Sequence, residues 1–414
     1  MAGNLITGTD VSGLTDLPPG KGQRLTWYNA TAARWDGLFP DNTADWFIVT
    51  DVGGTEANTL ELDDRSSSQP SIFWDNTTDK LYVLSAHDTA FEFWTVVYTG
   101  GAYTLTGGQG AERAGVAVSG FGRAQRDEGH AITVTPNGNI WIFQMQENDV
   151  LRFRHSTDDG ATWNTLTTLQ SSQTFGSVDA FWFANAGTNY VCVYGTEDAT
   201  GVSATDYFFY IDEDHATPTT GSNWTDDSAN IPAFDGGGQE ADNHCCLCKD
   251  SSENIYIAVK RGEGTNLNDT KMLKRTPGGT WSVTEVFTDG DAPGSTDYTR
   301  PACAVRKITE SNNEELIVAA GHTGGSSQIA VYKTSPLDTI SWSTTTTIFE
   351  DTVGSDTFTR LFAPCNGTVY DGNSDCLFIA INSTDSTFWE NKLLTDPPVD
   401  GGLPGSLSLL GVGT

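Results

Sequence analysis

The feature that most constrains this chain is a recurring unit of short apolar segments separated by turn-forming residues, repeated about every 50 to 65 residues. Each unit predicts four β-strands, of which the second is strongly apolar and the fourth opens with an aromatic residue. One unit reads His130-Ala-Ile-Thr-Val, Asn139-Ile-Trp-Ile-Phe and Val150-Leu-Arg-Phe-Arg, followed by a turn that ends at Trp163. Apolar periodicity typical of a helix never exceeds about two turns. The repeat therefore predicts an all-β chain.

The number of these units indicates the architecture. They open near Pro70, His130, Asp179, His244, Arg300 and Arg360, and residues 34–66 supply a further unit with residues 45–50 as its second strand. Seven four-stranded antiparallel units fit a single seven-bladed β-propeller, with a six-bladed ring as the alternative. The segment Arg24-Leu-Thr-Trp27-Tyr-Asn resembles a fourth strand that has no blade of its own. We expect this N-terminal strand to close the ring by pairing with the last blade, because closure removes open sheet edges.

The two ends of the chain differ in composition from the repeated units. Residues 1–22 are rich in Gly, and the C-terminal segment begins Asp396-Pro-Pro-Val-Asp-Gly-Gly. Such sequences are typical of extended arms rather than of packed strands. We expect an N-terminal arm at residues 1–22, the propeller at residues 23–395 and a Gly/Pro-rich C-terminal tail at residues 396–414.

One turn carries a recognisable motif. Residues 156–163 read Ser-Thr-Asp-Asp-Gly-Ala-Thr-Trp and match S-x-D-x-G-x-x-W through Ser156, Asp158, Gly160 and Trp163. In such a turn a short carboxylate folds back on its own backbone, and the Gly takes a positive φ. The motif resembles the Asp box of the sialidase-like (BNR-repeat) β-propellers, a group of glycoside hydrolases, polysaccharide lyases and non-catalytic glycan binders. The resemblance implies a scaffold that engages carbohydrate, with this structural turn between the third and fourth strands of a blade.

The charge balance excludes some partners. The net charge is −32, from 54 acidic and 22 basic residues, which argues against nucleic acid or an anionic membrane as a partner. A surface this acidic stays hydrated at high ionic strength, where screening weakens its self-repulsion, and this favours a halophilic or marine source. The sequence has no run of about 18 apolar residues and no secretory signal at its N-terminus. We expect a protein made in the cytoplasm without a signal peptide and not inserted into a membrane.

Arg and His collect at predicted strand ends that share one face. In an antiparallel blade the start of the first strand and the end of the second lie at the same face, around the mouth of the central channel. A guanidinium presents a planar fork that matches a carboxylate, so this pattern favours an acidic sugar such as a uronic or sialic acid. The ligand-binding candidates are Arg34, His87, Glu128, Asp242, Arg261, His322 and Arg360.

A resemblance to propeller-type polysaccharide lyases implies a catalytic alternative. Those enzymes use His or Tyr to remove the proton next to a uronate carboxylate, and Arg or a similar group to stabilise the developing charge. If the chain is an enzyme, Tyr298, His130 and His244 are the candidates for base or acid, and Arg300 is the candidate for the stabiliser. Polar strand ends also line inert propeller channels, where they bind water or neighbouring blades. Whether the chain is an enzyme is therefore left open.

The cysteines and acidic loops raise the question of metals. The cluster Cys245-Cys-Leu-Cys248 lies on a predicted innermost strand, whose alternation points Cys245 away from the other two thiols. This arrangement suits a tetrahedral zinc site poorly, so we expect buried thiols packed between blades and no metal or cofactor. The acidic segments at residues 212–214 and 288–291 could hold a structural Ca²⁺ through oxygen ligands.

These observations favour a carbohydrate-engaging propeller on a virus particle. Virion proteins are made in the cytosol and later face host glycans, which reconciles a glycan-binding scaffold with the absence of an export signal. We expect a receptor-binding or decoration protein on the virion surface of a virus of a halophilic or marine microbe, with termini that dock to other particle proteins and an oligomer as a further possibility. The alternatives are a polysaccharide lyase or sialidase-like hydrolase acting on acidic glycans, and a purely structural particle protein.

Overall fold

The structure is a computed structural model in which the strands form seven antiparallel sheets arranged as the blades of one propeller. The prediction of a seven-bladed all-β ring is confirmed, and the six-bladed alternative is wrong. The structure describes residues 4–6, 24–41, 43, 45–65, 68–87, 90–106, 116–118, 121, 129–146, 150–171, 175–197, 205–234, 241–261, 270–288, 297–308, 313–323, 329–350, 358–365, 376–382 and 387–393.

The strands of each blade run in sequence order from the ring axis outwards. Blade one contains β2 (Thr26–Asn29), β3 (Arg34–Pro40), β4 (Trp46–Thr50) and β5 (Ala57–Asp63). Blade two contains β6 (Gln69–Asp75), β7 (Lys80–His87) and β8 (Ala90–Thr99), and β9 (Ala102–Thr106) and β10 (Val116–Val118) share its outer edge. Blade three contains β11 (His130–Val134), β12 (Ile140–Gln146), β13 (Val150–Ser156) and β14 (Thr167–Ser171). Blade four contains β15 (Phe175–Asn185), β16 (Thr188–Glu197), β17 (Tyr207–Asp212) and β18 (Thr225–Asp226).

The last three blades follow the same order, except at the edge where the ring closes. Blade five contains β19 (Ala241–Lys249), β20 (Ile255–Arg261), β21 (Thr270–Arg275) and β22 (Trp281–Phe287). Blade six contains β23 (Asp297–Ile308), β24 (Asn313–Thr323), β25 (Ile329–Pro336) and β26 (Thr346–Glu350). Blade seven contains β27 (Phe358–Phe362), β28 (Cys376–Asn382) and β29 (Thr387–Leu393), and the N-terminal β1 (Asn4–Leu5) is its outer strand. Among the described residues the helical segments are two short 3-10 turns, and none is long and apolar enough to cross a membrane.

Burial explains the apolar pattern of the blades. The side chains from Ile140 to Met145 on β12 are all buried, because neighbouring blades cover both faces of a second strand. On the outer strand β22, buried residues are confined to Val286 and Phe287 at its end, and the others are partly or fully exposed. Each fully buried Leu, Ile or Phe contributes about 1.5–3 kcal/mol by leaving water. The core therefore lies between the blades, along their inner and second strands.

The ring is closed by an N-terminal strand, as predicted, but by a different one. Asn4 and Leu5 pair with Glu390 and Trp389 of β29, so part of the predicted N-terminal arm belongs to the ring. The prediction that residues 24–29 close the ring is wrong, because Thr26–Asn29 pairs with β3 as the first strand of blade one. The turn between them spans four residues, and so short a loop is closed at a smaller entropy cost than a pairing across the whole chain.

This hairpin shifts the strand assignment of the whole first blade. The sequence had indicated that residues 45–50 form the second strand of this blade. Because Thr26–Asn29 is the first strand, residues 46–50 form the third strand instead. Arg34 accordingly begins the second strand of blade one. It was expected to begin a first strand, and the change moves it to the other end of the blade.

The cysteines pack between blades, as predicted. All seven are buried and unbridged. The backbone N–H of Cys303 on β23 donates to the Cys246 sulfur at 3.3 Å, and the Cys303 thiol donates to the Cys246 carbonyl at 3.0 Å. These contacts join the innermost strands of blades five and six. Burial of this kind raises the pKa of the Cys303 thiol well above its usual range and keeps the thiol neutral.

Candidate functional site

The propeller has two faces that differ in what they carry. We call the face at which the innermost strands begin the upper face, and it also receives the ends of the second strands and the starts of the third. The lower face carries the connections from first to second and from third to fourth strands. Most of the predicted binding residues belong to the upper face, and much of the chain between its strand ends lies outside the described residues.

Pairing irregularities occur where four innermost strands reach the upper face. The pairing register shifts between Phe175 and Ser177, Asp242 and Cys245, Thr299 and Ala302, and Phe358 and Arg360. The innermost strands of blades two and three pair with their neighbours without such a shift. A bulge turns the strand and re-aims its side chains, and bulges are frequent beside functional sites. Blades four to seven are therefore modified at the same end of the channel.

Arg300 lies within one of these bulges and has a strained backbone. Its φ is 48°, in the left-handed region that a side chain with a Cβ disfavours. Conformations of this kind cost about 1–3 kcal/mol each and persist where the surrounding structure enforces them. The Arg300 side chain is partly exposed. The bulge thus presents a cation at the upper face at a cost in stability.

Contacts between neighbouring innermost strands place His244 beside this bulge. The backbone N–H of Leu247 donates to Asp179 at 2.7 Å, and Cys303 contacts Cys246, so the strands of blades four, five and six are aligned in height. Counting back along β19 and β23 puts His244 level with Pro301. His244 and Arg300 therefore lie within the bulges of adjacent innermost strands, both at the upper face.

His130 lies deeper in the channel than His244. Gly129, just before β11, lies so close to β15 that a Cβ added there would be 2.8 Å from the backbone nitrogen of Val178. Gly129 is therefore level with Val178 in the channel wall. On this alignment His130 is level with Leu247, three residues further along β19 than His244. The His130 ring packs edge to face on Phe91, with centroids 5.4 Å apart, and is 1% exposed. It belongs to the packed wall of the channel.

The other catalytic candidate, Tyr298, is also buried. Its ring stacks on Phe287 with centroids 4.9 Å apart, and the residue is 0% exposed. Tyr298 lies directly opposite His322 in the pairing of β23 with β24, so the structure brings these two candidates together at one strand end. His244 is 4% exposed. Of the four predicted catalytic residues, Arg300 is the one with a partly exposed side chain.

The predicted ligand-binding residues divide between the faces. The upper-face strand ends carry His87 on β7, Asp242 on β19, Arg261 on β20, His322 on β24 and Arg360 on β27. Glu128 lies outside the described residues. Arg34 begins β3 and lies at the lower face, so its predicted place at the channel mouth is wrong. The binding roles of these residues remain predictions.

An ion pair that spans the ring lies below the upper face. Arg24, just before β2 of blade one, donates to both carboxylate oxygens of Asp179 on β15, at 2.9 and 2.8 Å, and to the Leu247 carbonyl on β19. Blades four and five lie on the far side of a seven-membered ring from blade one, so the Arg24 side chain crosses the axis. Its side chain is 5% exposed and that of Asp179 is 1% exposed. Burial lowers the pKa of Arg24, but the charge and hydrogen bonds of Asp179, together with the neighbouring Cys246 and Cys365, raise it overall and keep the guanidinium charged.

Comparisons with known proteins support the fold. No protein-family model matches the chain, and no curated protein matches it. A solved polysaccharide lyase, an ulvan lyase bound to a GlcA(1-4)Rha3S saccharide, superposes with a TM-score of 0.50 at 10% identity, covering 93% of this chain and 96% of its own. The chain shares its propeller fold. Two further matches are the NanB sialidase of Streptococcus pneumoniae (TM-score 0.46, 11% identity, 94% of this chain and 70% of that one) and the Aleuria aurantia lectin (TM-score 0.46, 11% identity, 80% and 97%).

The sequence reasoning missed an acidic cluster at the upper face of blade four. Asp206 directly precedes β17 and is 0% exposed, and Glu197 at the end of β16 accepts hydrogen bonds from the Thr205 N–H at 2.9 Å and the Tyr207 hydroxyl at 3.0 Å. Burial raises the pKa of the Asp206 carboxyl to about 7, and the Glu197 carboxylate adds to this rise while the Tyr194 hydroxyl opposes it. The sequence analysis considered the starts of first strands and the ends of second strands. The starts of third strands lie at the same face, and including them would have identified Asp206.

This carboxyl predicts a stability loss between about pH 4 and pH 7. The unfolded chain releases the proton near pH 3.9, whereas the folded chain holds it to about pH 7, so rising pH favours the unfolded state across that window. At about 1.4 kcal/mol per pKa unit, the loss is on the order of 4 kcal/mol. Asp206→Asn removes this titrating group. The free energy of unfolding of the variant minus that of the parent, measured in urea, should therefore rise by about this amount from pH 4 to pH 8. A difference that does not change with pH would show that Asp206 is ionised throughout.

The turn at residues 156–163 lies on the lower face, between β13 and β14. The N–H of Gly160 donates to the Ser156 hydroxyl at 2.9 Å, and the N–H of Thr162 donates to the Asp158 carboxylate at 2.8 Å. Hydrogen bonds from the Thr162 hydroxyl and N–H lower the pKa of Asp158. Trp163 packs edge to face on Phe93 of blade two, with centroids 5.2 Å apart. The turn therefore fastens blade three to blade two.

Proposed function

We propose that this chain binds carbohydrate, and that the carboxylate of an acidic sugar docks at the upper face beside Arg300. The observation that carries the proposal is the bulge of β23, which holds Arg300 in a strained conformation at the upper face, partly exposed. A strained residue that presents a planar cation is suited to bidentate recognition of a carboxylate. Arg360, on the next blade around the ring, supplies a second guanidinium at the same face.

Two further findings support this proposal. The ulvan lyase that shares the propeller fold is bound to a saccharide that contains GlcA, a sugar with a carboxylate. The hydrogen bonds of Ser156, Asp158 and Gly160 are those expected of an Asp box, and we extend the proposal to a place among the sialidase-like Asp-box propellers.

Burial favours a binding protein over an enzyme. A general base must reach the proton that it removes, at about 2.6–3.2 Å or through one water. Tyr298 and His130, two of the candidate bases, are 0% and 1% exposed, and aromatic rings pack against both. Tyr298→Phe should therefore leave glycan retention unchanged. The lyase or sialidase-like hydrolase is the alternative, and the masses of the products distinguish it from a binding protein.

The test combines retention and product mass on acidic polysaccharides in low and high salt. Arg300→Gly should weaken retention by about tenfold or more, which is 1.4 kcal/mol, while stability holds or rises because glycine accepts a φ of 48° without strain. The matched control is Arg306→Gln, which removes the same charge from the lower end of the same strand, where Arg306 pairs with Glu315 at 2.8 Å. If both variants lose retention equally, the loss comes from the reduced positive charge of the protein and not from contact with Arg300, and the proposal is overturned.

The product masses separate the two functional classes. Retained polysaccharide of unchanged length supports a binding protein. Shortened or unsaturated chains would establish an enzyme and make Tyr298, His130 and His244 the first residues to replace. A protein that neither retains nor shortens any polysaccharide of the panel would leave the purely structural role as the surviving hypothesis.

We further propose that the propeller works on the surface of a virus particle, as a receptor-binding or decoration module. The net charge of −32 supports use in a saline medium, where the repulsion between an acidic protein and acidic glycans is screened within about 3 Å at 1 M salt. Antibodies against the purified chain should label intact particles from infected cultures, and labelling confined to cell debris would contradict this placement.

A further inference from the structure

A cavity lies between blades one and two at the lower face, far from the bulged strand ends of the upper face. Its volume is about 160 Å³. It lies where β3 begins, where β4 ends and where β8 turns into β9. Its lining residues are Arg34, Thr50, Thr59, Gly101, Ala102 and Tyr103. The cavity is smaller than the roughly 300–1,000 Å³ that hold drug-sized ligands, so it has room for one small residue.

The Arg34 guanidinium is held rigidly in this cavity. Its Nε donates to Asp36 at 2.8 Å, and Asp36 is 0% exposed. The Tyr103 hydroxyl donates to Oδ2 of Asp36 at 2.5 Å, and the backbone N–H of Asp51 donates to Oδ1 of Asp36 at 2.9 Å. The guanidinium also lies over the ring of Tyr98, 5.8 Å from its centroid. A group fixed in this way loses little further freedom when it binds a ligand.

Hydrogen-bonding capacity remains after these contacts are made. Among the residues that the structure describes, neither terminal nitrogen of Arg34 donates to the protein, and the side chain is 28% exposed. The Thr50 and Thr59 hydroxyls donate to the carbonyls of Ala57 and Ile48, at 3.3 and 3.0 Å, so their oxygens can still accept. The cavity offers donors and acceptors side by side, and a hydroxyl group can use both.

Charge decides between an anion and a neutral ligand. The Arg34 cation is already balanced by the buried Asp36 carboxylate. Burial, together with the nearby Asp36, raises the pKa of Tyr103, so that phenol is neutral at ordinary pH. An anion would gain little net attraction here and would be repelled by a chain of net charge −32. Neutral hydroxyls meet neither obstacle.

We infer that this cavity is a second carbohydrate site, which takes one neutral sugar residue through a pair of adjacent hydroxyls on the terminal nitrogens of Arg34. The site is independent of the upper face. Gly101, with a φ of 90°, forms part of its wall in a conformation that glycine adopts without strain. A chain with both sites would hold a glycan at two places on opposite faces of the ring.

The test titrates the chain with L-rhamnose, D-galactose, D-glucose and D-glucuronate and follows ligand-observed NMR. We expect at least one neutral sugar to bind, glucuronate to bind more weakly, and Arg300→Gly to leave this binding unchanged. Thr59→Tyr, which fills the cavity from the exposed strand β5, should weaken binding about tenfold or more. The matched control is Thr104→Tyr on β9, since Thr104 is likewise exposed and its hydroxyl likewise donates to a backbone carbonyl.

A second variant tests the same inference without filling the cavity. Arg34→Lys keeps the charge opposite Asp36 but lacks the paired terminal nitrogens, so it should weaken sugar binding while the chain still folds. The inference is overturned if no neutral sugar binds, if Thr59→Tyr and Arg34→Lys both bind as the parent does, or if glucuronate binds more tightly than every neutral sugar. Loss of binding in Arg300→Gly would also overturn it, because the sugar would then occupy the upper face.

Discussion

Asp179→Ala is expected to destabilise the propeller by about 3–5 kcal/mol, because it removes the carboxylate that compensates the buried Arg24 cation. Asp179 also accepts the backbone N–H groups of Ala180 and Leu247, at 2.8 and 2.7 Å, so its loss affects the inner strands of two blades. Urea unfolding followed by tryptophan fluorescence gives the change in the free energy of unfolding. The pair links blade one to the opposite side of the ring, so its loss should affect the ring as a whole.

The matched control for this prediction is the exposed pair of Lys80 and Asp159, whose side chains are 21% and 43% exposed. Lys80→Ala breaks an ion pair of similar length, 2.9 Å, that joins blades two and three at the surface. Exposed pairs contribute about 0–1 kcal/mol, so this variant should stay within that range. Similar losses in Lys80→Ala and Asp179→Ala would show that the central pair is solvated and does not hold the ring.

A double variant separates the ion pair from its surroundings. Arg24→Met combined with Asp179→Leu removes both charges together and replaces them with apolar side chains. Because a buried pair exchanged for apolar groups leaves no uncompensated charge, the double variant should be more stable than Asp179→Ala. Such a result would indicate that the ion pair of Arg24 and Asp179 contributes little net stability and mainly determines which blades meet across the axis.

Gly160→Ala is expected to cost about 2–5 kcal/mol for two reasons that add. Gly160 has a φ of 83°, where an L-residue pays roughly 1–2 kcal/mol. An added Cβ would also lie 2.1 Å from Cε1 of Phe93, and overpacking of this kind costs about 1–3 kcal/mol. Phe93 is fully buried in blade two, so it has no room to withdraw. The change in the free energy of unfolding is again measured in urea.

Gly138→Ala supplies the control, because Gly138 has nearly the same φ, 82°, and a Cβ there would meet nothing within 4 Å. This variant should show the backbone cost alone, about 1–2 kcal/mol. The difference between the two variants measures how tightly the turn at residues 156–163 presses on blade two. Equal losses at both positions would mean that the turn is not packed against Phe93.

The sequence alone was sufficient for the repeated unit and for most of its strands. Alternating apolar residues identify strands because burial acts locally on each side chain, and the first three strands of blade three and the innermost strands of blades five and six lie where the pattern indicates. The burial of Cys246 followed from the same logic. The fourth strand of blade three begins at Thr167, and its predicted opening at Trp163 is wrong. The first blade was misassigned, because strand pairing depends on which neighbour a strand meets, and the four-residue turn before Arg34 gave Thr26–Asn29 a local partner.

Tertiary structure alone decided the contacts that cross the ring. Arg24 and Asp179 are 155 residues apart, and no local periodicity indicates which blade lies across the axis from another. The same holds for the cavity at Arg34, which exists because blade two presents Gly101 and Tyr103 to blade one. Local patterning determines whether a side chain is buried, and this is readable along the chain. The partner of a buried or half-buried charge is set by ring closure, so it is defined only once all seven blades are in place.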